Sequence, residues 1–353
     1  MFAVVGHFGQ KIEKPTLTAK PLTDHQLALI EEGIALHKQK KFDAAILKYE
    51  LVLGENPDAT GAMYEKALSL YTKGEKEKAI ETAVLGSKYR SEELPLFYLV
   101  IANVIDDAGK PKEAVKIFRD AIKILEKEKD MDRHLSSVHF NLGVTYARQQ
   151  LMAESRVELK KAVEYNPLYP SPHYVLSEIY GANYKVPALL AAMRFISLEY
   201  NTARTDRAVA TVKRVLAPAE KDEKTGNINI FMNLDAPKDE GDFGMYDLLL
   251  GTLGFSKDDE DKGKTAEVIF AESIDTTISL LAGDKKLKST FVGKQYVPYL
   301  AELKSRGFTQ AFAYVVIFKS DNKNAAALKW LETNNGKLQE FLAWAKTYRP
   351  PVN

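Results

Sequence analysis

A unit of thirty-four residues recurs along the first two hundred positions, and no other property of this chain restricts its fold as tightly. Its clearest copy runs through "HFNLGVTYARQQLMAESRVELKKAVEYNP", residues 139–167. With Gly143 at position 8 the unit opens at Ser136. Position 4 is then His139, 7 is Leu142, 11 is Tyr146, 20 is Ser155, 24 is Leu159, 27 is Ala162 and 32 is Pro167. The same template fits elsewhere. From Gln26 it meets Leu29, Gly33, Leu36, Ala45, Tyr49, Val52 and Pro57; from Thr60 it meets Met63, Ala67, Leu70, Gly74, Ala79 and Ala83. From Pro95 it meets Tyr98, Ile101, Ala102, Ile105, Gly109, Ala114, Phe118 and Ala121. From Pro170 it meets His173, Leu176, Ser177, Tyr180, Met193 and Ile196.

Each unit reads as a helix, a turn near position 15 and a second helix. Small residues at 8 and 20 let two antiparallel helices approach closely, while larger ones at 4, 7, 11 and 24 fill the gap to the next unit. Pro57 and Pro167 stop second helices, because a helix does not easily continue into proline. The second unit lacks that proline, and the fifth has Leu189 where a small residue belongs. Between the third and fourth units the spacing stretches by seven residues through "EKEKDMDRH", so one second helix runs long or ends in a loop.

The pattern resembles the tetratricopeptide repeat over about residues 24–202, as five units at about 26–59, 60–93, 95–128, 136–169 and 170–203. That resemblance implies an all-α superhelix of helical hairpins and a non-enzymatic scaffold that binds a segment of a partner protein, without cofactor or metal. It also implies which positions of each first helix line the concave face: 2, 5, 9, 12 and 13. Carried onto this chain they are Leu27, Ile30, Ile34, His37 and Lys38, then Tyr64, Leu68 and Tyr71. The third unit supplies Leu96, Leu99, Asn103, Asp106 and Asp107. The fourth supplies Ser137, Phe140, Val144, Ala147 and Arg148, and the fifth Ser171, Tyr174 and Glu178. The family's carboxylate clamp has counterparts only for its two asparagines, Asn103 and Asn141. Its lysine position is Leu99 and its later basic positions are Ser171 and Val175, so a carboxylate would be desolvated without a cation. The candidate peptide-binding groove is therefore aromatic and aliphatic with a few polar groups: Tyr64, Tyr71, Leu99, Asn103, Phe140, Asn141, Arg148 and Tyr174. Residues 1–23, fairly apolar and carrying Pro15 and Pro21, or else the C-terminal region, are candidates to cover part of it. Received from a neighbouring copy, the same tail would instead mediate self-association.

Beyond the repeats, a helix over about 204–217 is expected to cap the array, with Arg204, Arg207, Lys213 and Arg214 on its wetter face. Residues 218–243 read as an acidic linker punctuated by Gly226, Pro237 and Gly241, with "INIFMNL" as a short insert able to dock as a strand. Helical periodicity returns over 244–353, predicting a second, mainly α-helical domain. Gly283 and Gly307 mark helix ends, and Asn335–Gly336 breaks the last pair. "FAYVVIF" suits a buried strand as well as a helix. A ligand pocket or catalytic site in this domain, with the repeats serving to dock it, is the competing expectation.

Composition narrows the function classes. With 49 basic and 48 acidic residues the chain offers no general attraction to nucleic acid or an anionic membrane, and no apolar run is long enough to span a bilayer. The absence of cysteine excludes disulfides, thiolate metal sites and a cysteine nucleophile. That absence, with the apolar start "FAVVGHF", fits an exported bacterial repeat protein as well as a cytosolic one. "DDEDKGKT" ends like a phosphate loop, but Asp258 stands where a glycine must turn, and four acidic groups repel phosphate. As a calcium loop it fails at Lys262 and Ile269. The histidines lack the i, i+4 pairing of a zinc helix, and His139 and His173, at position 4 of their units, are expected in the core.

Overall fold

The computed structural model describes residues 14–181, 183–217, 220–221, 228–229, 239–253 and 263–351. It is helical almost throughout, and it divides into two compact units, residues 1–158 and 159–353. The expected fifth repeat therefore shares its unit with the helices beyond 244.

The first unit is a succession of helical hairpins. They are α1 (Asp24–Lys38) with α2 (Phe42–Glu55), α3 (Thr60–Lys73) with α4 (Lys76–Gly86), and α5 (Leu94–Asp107) with α6 (Pro111–Leu125). A fourth opens with α7 (Asp132–Arg148) and continues into α8 (Met152–Tyr165). The seven extra residues before the fourth unit become a loop over 126–131 and an added first turn on α7. Within the unit α1, α3 and α5 each pack on their own second helix and on the first helix of the next hairpin. First helices touching first helices is the arrangement of a stacked repeat whose neighbours alone share a core.

The template positions explain this packing. Positions 8 and 20 (Gly33, Ala67, Ala102 and Gly143; Ala45, Ala79, Ala114 and Ser155) are all buried, as are the large groups Tyr49 and Phe118 at 24. At Gly33 a methyl group would overlap the Tyr49 ring. Alanine normally favours a helix over glycine, but here it forces the ring aside. Gly33→Ala is expected to destabilise the chain by about 1–3 kcal/mol. Gly54→Ala, in α2 with nothing within 4 Å of the added carbon, is expected to stabilise it by up to about 1 kcal/mol. Urea unfolding of both variants checks the pair; the same sign for the two would contradict the packing account.

The described part of the N-terminal tail lies along the loops between hairpins. β1 (Leu17–Thr18) pairs in parallel with β2 (Tyr89–Arg90), and the amides of Thr16 and Leu17 both donate to the Lys88 carbonyl at 3.0 and 2.9 Å. Asn56 Nδ2 donates to the Pro21 carbonyl at 3.5 Å, and Lys20 pairs with Asp58 at 3.5 Å. Thr23 then caps α1 in a reciprocal capping box with Gln26. Residues 14–23 are thus held at loops 56–58 and 88–90. Residues 1–13, including the apolar start, lie outside the described residues.

The second unit contains α9 (Pro170–Tyr180), α10 (Lys185–Leu198) and α11 (Ala203–Val215), then a two-residue antiparallel pair, β3 (Glu220–Lys221) with β4 (Ile228–Asn229). The rest of "INIFMNL", with Gly226, Pro237 and Asp258–Lys262, lies outside the described residues. There follow α12 (Gly244–Leu253), α13 (Ala266–Gly283), a 3-10 turn (Lys285–Ser289), α14 (Phe291–Gln295), α15 (Val297–Ser305), α16 (Thr309–Ser320), α17 (Ala325–Thr333) and α18 (Asn335–Ala345).

Every residue of α10 from Val186 to Leu198 is buried, because α9, α11, α12 and α18 enclose it. Leu189 therefore sits in a core where a small residue was expected. The end of the acidic segment is enclosed too. Glu240 is 3% exposed, paired with Lys160 at 2.9 Å and accepting from the Tyr180 hydroxyl at 3.2 Å. "FAYVVIF" falls in α16, buried from Ala311 to Val316. A helix apolar on all sides belongs in an interior, where it satisfies its own backbone without a partner strand.

Candidate functional site

The expected groove residues of the first unit lie on three consecutive first helices. Tyr64 and Tyr71 are on α3, Leu99 and Asn103 on α5, and Phe140, Asn141 and Arg148 on α7. All are half-buried except Arg148, which is exposed. This is the accessibility of side chains that lie on a packed layer without being enclosed in it. The Tyr64 ring meets Phe97 of the next hairpin edge-on, centroids 6.2 Å apart, and burial raises its hydroxyl pKa. Asn141 turns back on its own helix, donating to the Ser137 carbonyl at 2.9 Å.

Towards the C-terminal ends of these helices the polar residues join one network. Arg148 Nη1 donates to Asp106 Oδ2 at 2.9 Å and to Asp107 Oδ1 at 3.0 Å. Asp106 Oδ2 also accepts from Thr145 Oγ1 at 2.9 Å, and Asp107 Oδ2 accepts from the Tyr71 hydroxyl at 2.6 Å. Lys76 Nζ donates to the Asp107 carbonyl at 2.7 Å. Burial and the bond to Asp107 together raise the Tyr71 pKa well above its ordinary value. The network ties α3, α5 and α7 together, and it uses both Arg148 and Tyr71. The repeat template places Asp106, Asp107 and Arg148 on one face, but their pairing spans 41 and 42 residues and has no periodic signal.

One half-buried charged group on this layer stands apart. Glu65, at position 6 of its unit beside Tyr64, is half-buried and makes neither hydrogen bond nor ion pair among the described residues. The repeat register does not single it out, because position 6 enters the family pattern only through the clamp, as an asparagine or a basic residue.

Tyr174 belongs to the second unit. Its ring packs on Phe195, centroids 5.1 Å apart, under the Arg204 guanidinium at 5.4 Å. Arg204 is itself fixed by Glu199 and donates to Ser171 Oγ at 3.0 Å.

The second unit also has an open cleft of about 590 Å³ beside α13, α15 and α16, lined by Lys264, Glu272, Asp275, Lys304 and Thr309 among others. Its charges are spent on one another. Lys304 pairs with Asp275 at 2.6 Å, Lys264 pairs with Glu272 at 2.7 Å, and Thr309 donates to Asp275 at 3.0 Å. Among the described residues no group of three or more His, Asp or Glu side chains is placed to hold a metal, and no helix is long and apolar enough to cross a membrane. His139 and His173 are both buried, His139 with Nδ1 2.6 Å from Glu158.

The tetratricopeptide repeat family profile matches residues 136–167, the fourth unit. No curated protein matches the chain in sequence. Among solved structures, a thermophilic tetratricopeptide-repeat protein of Thermus thermophilus is 18% identical, covering 53% of this chain and 98% of its own, with a TM-score of 0.44. PilF of Pseudomonas aeruginosa is 16% identical over 54% of this chain and 90% of its own, TM-score 0.41. YrrB, described as a tetratricopeptide-repeat protein with an unusual peptide-binding site, is 15% identical over 52% and 93%, TM-score 0.35. The chain is an all-α protein carrying tetratricopeptide-type helical hairpins.

Proposed function

We propose that the hairpins of the first unit form a non-enzymatic scaffold, whose layer of first helices binds a segment of another protein. The observation that carries this reading is the state of the side chains on that layer. Tyr64, Leu68, Leu99 and Phe140 are half-buried on three successive hairpins, while Arg148 is already held by Asp106 and Asp107. A face of this kind attracts a partner through apolar contact rather than through long-range charge. The stacked hairpins supply a firm platform, so little conformational entropy is lost when a segment docks.

The experiment is an affinity capture from a lysate of the source cell, comparing the intact chain with one carrying Tyr64→Ala and Phe140→Ala. A partner retained by the first and lost by the second, with equal helical content in the two, is the expected result. Each anchor is expected to contribute ~2 kcal/mol or more, about thirty-fold in Kd. Retention should persist when salt is raised, because screening weakens exposed charge pairs and leaves apolar contact intact. Equal retention by both chains, or release by salt alone at unchanged fold, would remove the binding site from this layer.

A further inference from the structure

We propose that Glu65 sets the sequence preference of this face by accepting a lysine or arginine side chain of the bound segment; the inference rests on the peptide-binding reading above. Glu65 lies on α3 next to Tyr64 and three residues before Leu68, so an apolar surface flanks it. It is half-buried, yet no donor or cation reaches it among the described residues. Several cations of these hairpins have other partners. Lys66 pairs with Glu50 at 2.9 Å, Lys48 with Glu32 at 2.6 Å and Lys73 with Asp43 and Glu75 at 2.5 Å, while Arg148 holds the two aspartates. Lys38 attracts Glu65 without forming an ion pair.

Burial already raises the Glu65 pKa against the pull of Lys38, and its charge is felt by Tyr49 and Tyr64. A segment laid over Tyr64 and Leu68 would strip away the water that still solvates this carboxylate. An uncompensated charge in that position is strongly unfavourable, whereas a donated cationic hydrogen bond restores what water provided. Acidic segments would meet repulsion there and wholly apolar ones an unsatisfied carboxylate, so the same group selects for one class and against two others. The occupant this face fits is a peptide with a basic side chain next to aliphatic or aromatic ones.

The test is a selection from a displayed random-peptide library on three full-length chains: intact, Glu65→Gln, and Tyr64→Ala with Phe140→Ala, matched for helicity and thermal stability. Peptides enriched on the intact chain are expected to carry Lys or Arg beside an apolar residue, and Glu65→Gln is expected to lose only the basic preference. Replacing that Lys or Arg by Gln in a synthetic copy should weaken binding ~30-fold on the intact chain and little on Glu65→Gln. Basic residues no commoner than in the starting library would overturn the role of Glu65 while leaving the peptide-binding reading standing. So would an equal loss on both chains. Peptides enriched equally on the Tyr64→Ala, Phe140→Ala chain, or no enrichment on any chain, would overturn that reading and this inference with it.

Discussion

Replacing Arg194 by methionine is expected to destabilise the second unit by about 3–5 kcal/mol. Arg194 lies on α10 and is 2% exposed, yet no carboxylate faces it among the described residues. Its guanidinium instead donates to three backbone carbonyls, those of Ala345 at 2.9 Å, Tyr348 at 3.1 Å and Pro167 at 3.4 Å. The Tyr299 ring stacks beneath it at 4.4 Å, a favourable contact for a desolvated cation. Methionine fills much of the same volume, so the loss reports the hydrogen bonds and the cation–ring contact rather than a cavity. A buried ion pair can be exchanged whole for apolar residues without much cost, but main-chain carbonyls cannot be mutated away. Those of Ala345 and Tyr348 would stay buried without donors, at about 1–3 kcal/mol each before relaxation, while the Pro167 carbonyl keeps the His173 ring.

The molecule carries its own reporter for this experiment. Its two tryptophans, Trp330 and Trp344, are both in the second unit, and Trp344 stacks on Tyr299 at 5.1 Å beside the guanidinium. Tryptophan fluorescence during urea unfolding therefore follows this unit. Amide exchange should quicken first along α18 and residues 346–349, which Arg194 ties down. A midpoint shift worth less than about 1 kcal/mol would show that the carbonyls find other donors.

Acid should unfold the same unit through His173. This ring is 1% exposed, with Nε2 3.1 Å from the Pro167 carbonyl and Nδ1 3.1 Å from the Tyr296 hydroxyl. Donating from Nε2 and accepting at Nδ1 satisfies both contacts with a neutral imidazole. Burial, and then the neighbouring Arg194 cation, push its pKa down to about 3, with the Pro167 carbonyl acting the other way. An unfolded histidine titrates near ~6.5. Between those values the unfolded chain holds a proton that the folded chain refuses, so stability rises with pH across this window. The contribution is complete above the unfolded pKa and is lost as pH falls towards the folded one, with a slope of up to about 1.4 kcal/mol per pH unit. His173→Gln keeps a donor and an acceptor but cannot titrate. Its stability should fall less steeply than that of the intact chain between about pH 6.5 and pH 4. Parallel slopes for the two proteins would mean that His173 is protonated in the native state.

The first unit was legible because its decisive contacts are local. A hairpin closes within one period of thirty-four residues and touches only its neighbours, so small residues at Gly33 and Ala45 write the helix–helix distance directly into the sequence. Position 4 likewise announced His139 and His173 as interior groups. Of the candidate site, the three helices and the faces of Tyr64, Leu99 and Phe140 follow from the same register. The capture of Arg148 by Asp106 and Asp107 does not, since a charge on a face is free or paired according to what the next hairpin brings beside it.

In the second unit periodicity carries less. "FAYVVIF" has too many apolar groups to show a face, and only its place among α11, α13, α17 and α18 makes it an interior helix. Leu189 departs from the repeat because α10 is enclosed by helices that arrive later in the chain. The Arg194 contacts close over 151 and 154 residues, so nothing local in the sequence marks them. The order of amino acids alone set the hairpins, their succession and the side chains they present. Which charges those hairpins neutralise, and how the last of them becomes the core of a second unit, was fixed only when distant segments met in the folded chain. Periodicity records contacts between neighbours, whereas burial and pairing at long range depend on the closure of the whole chain.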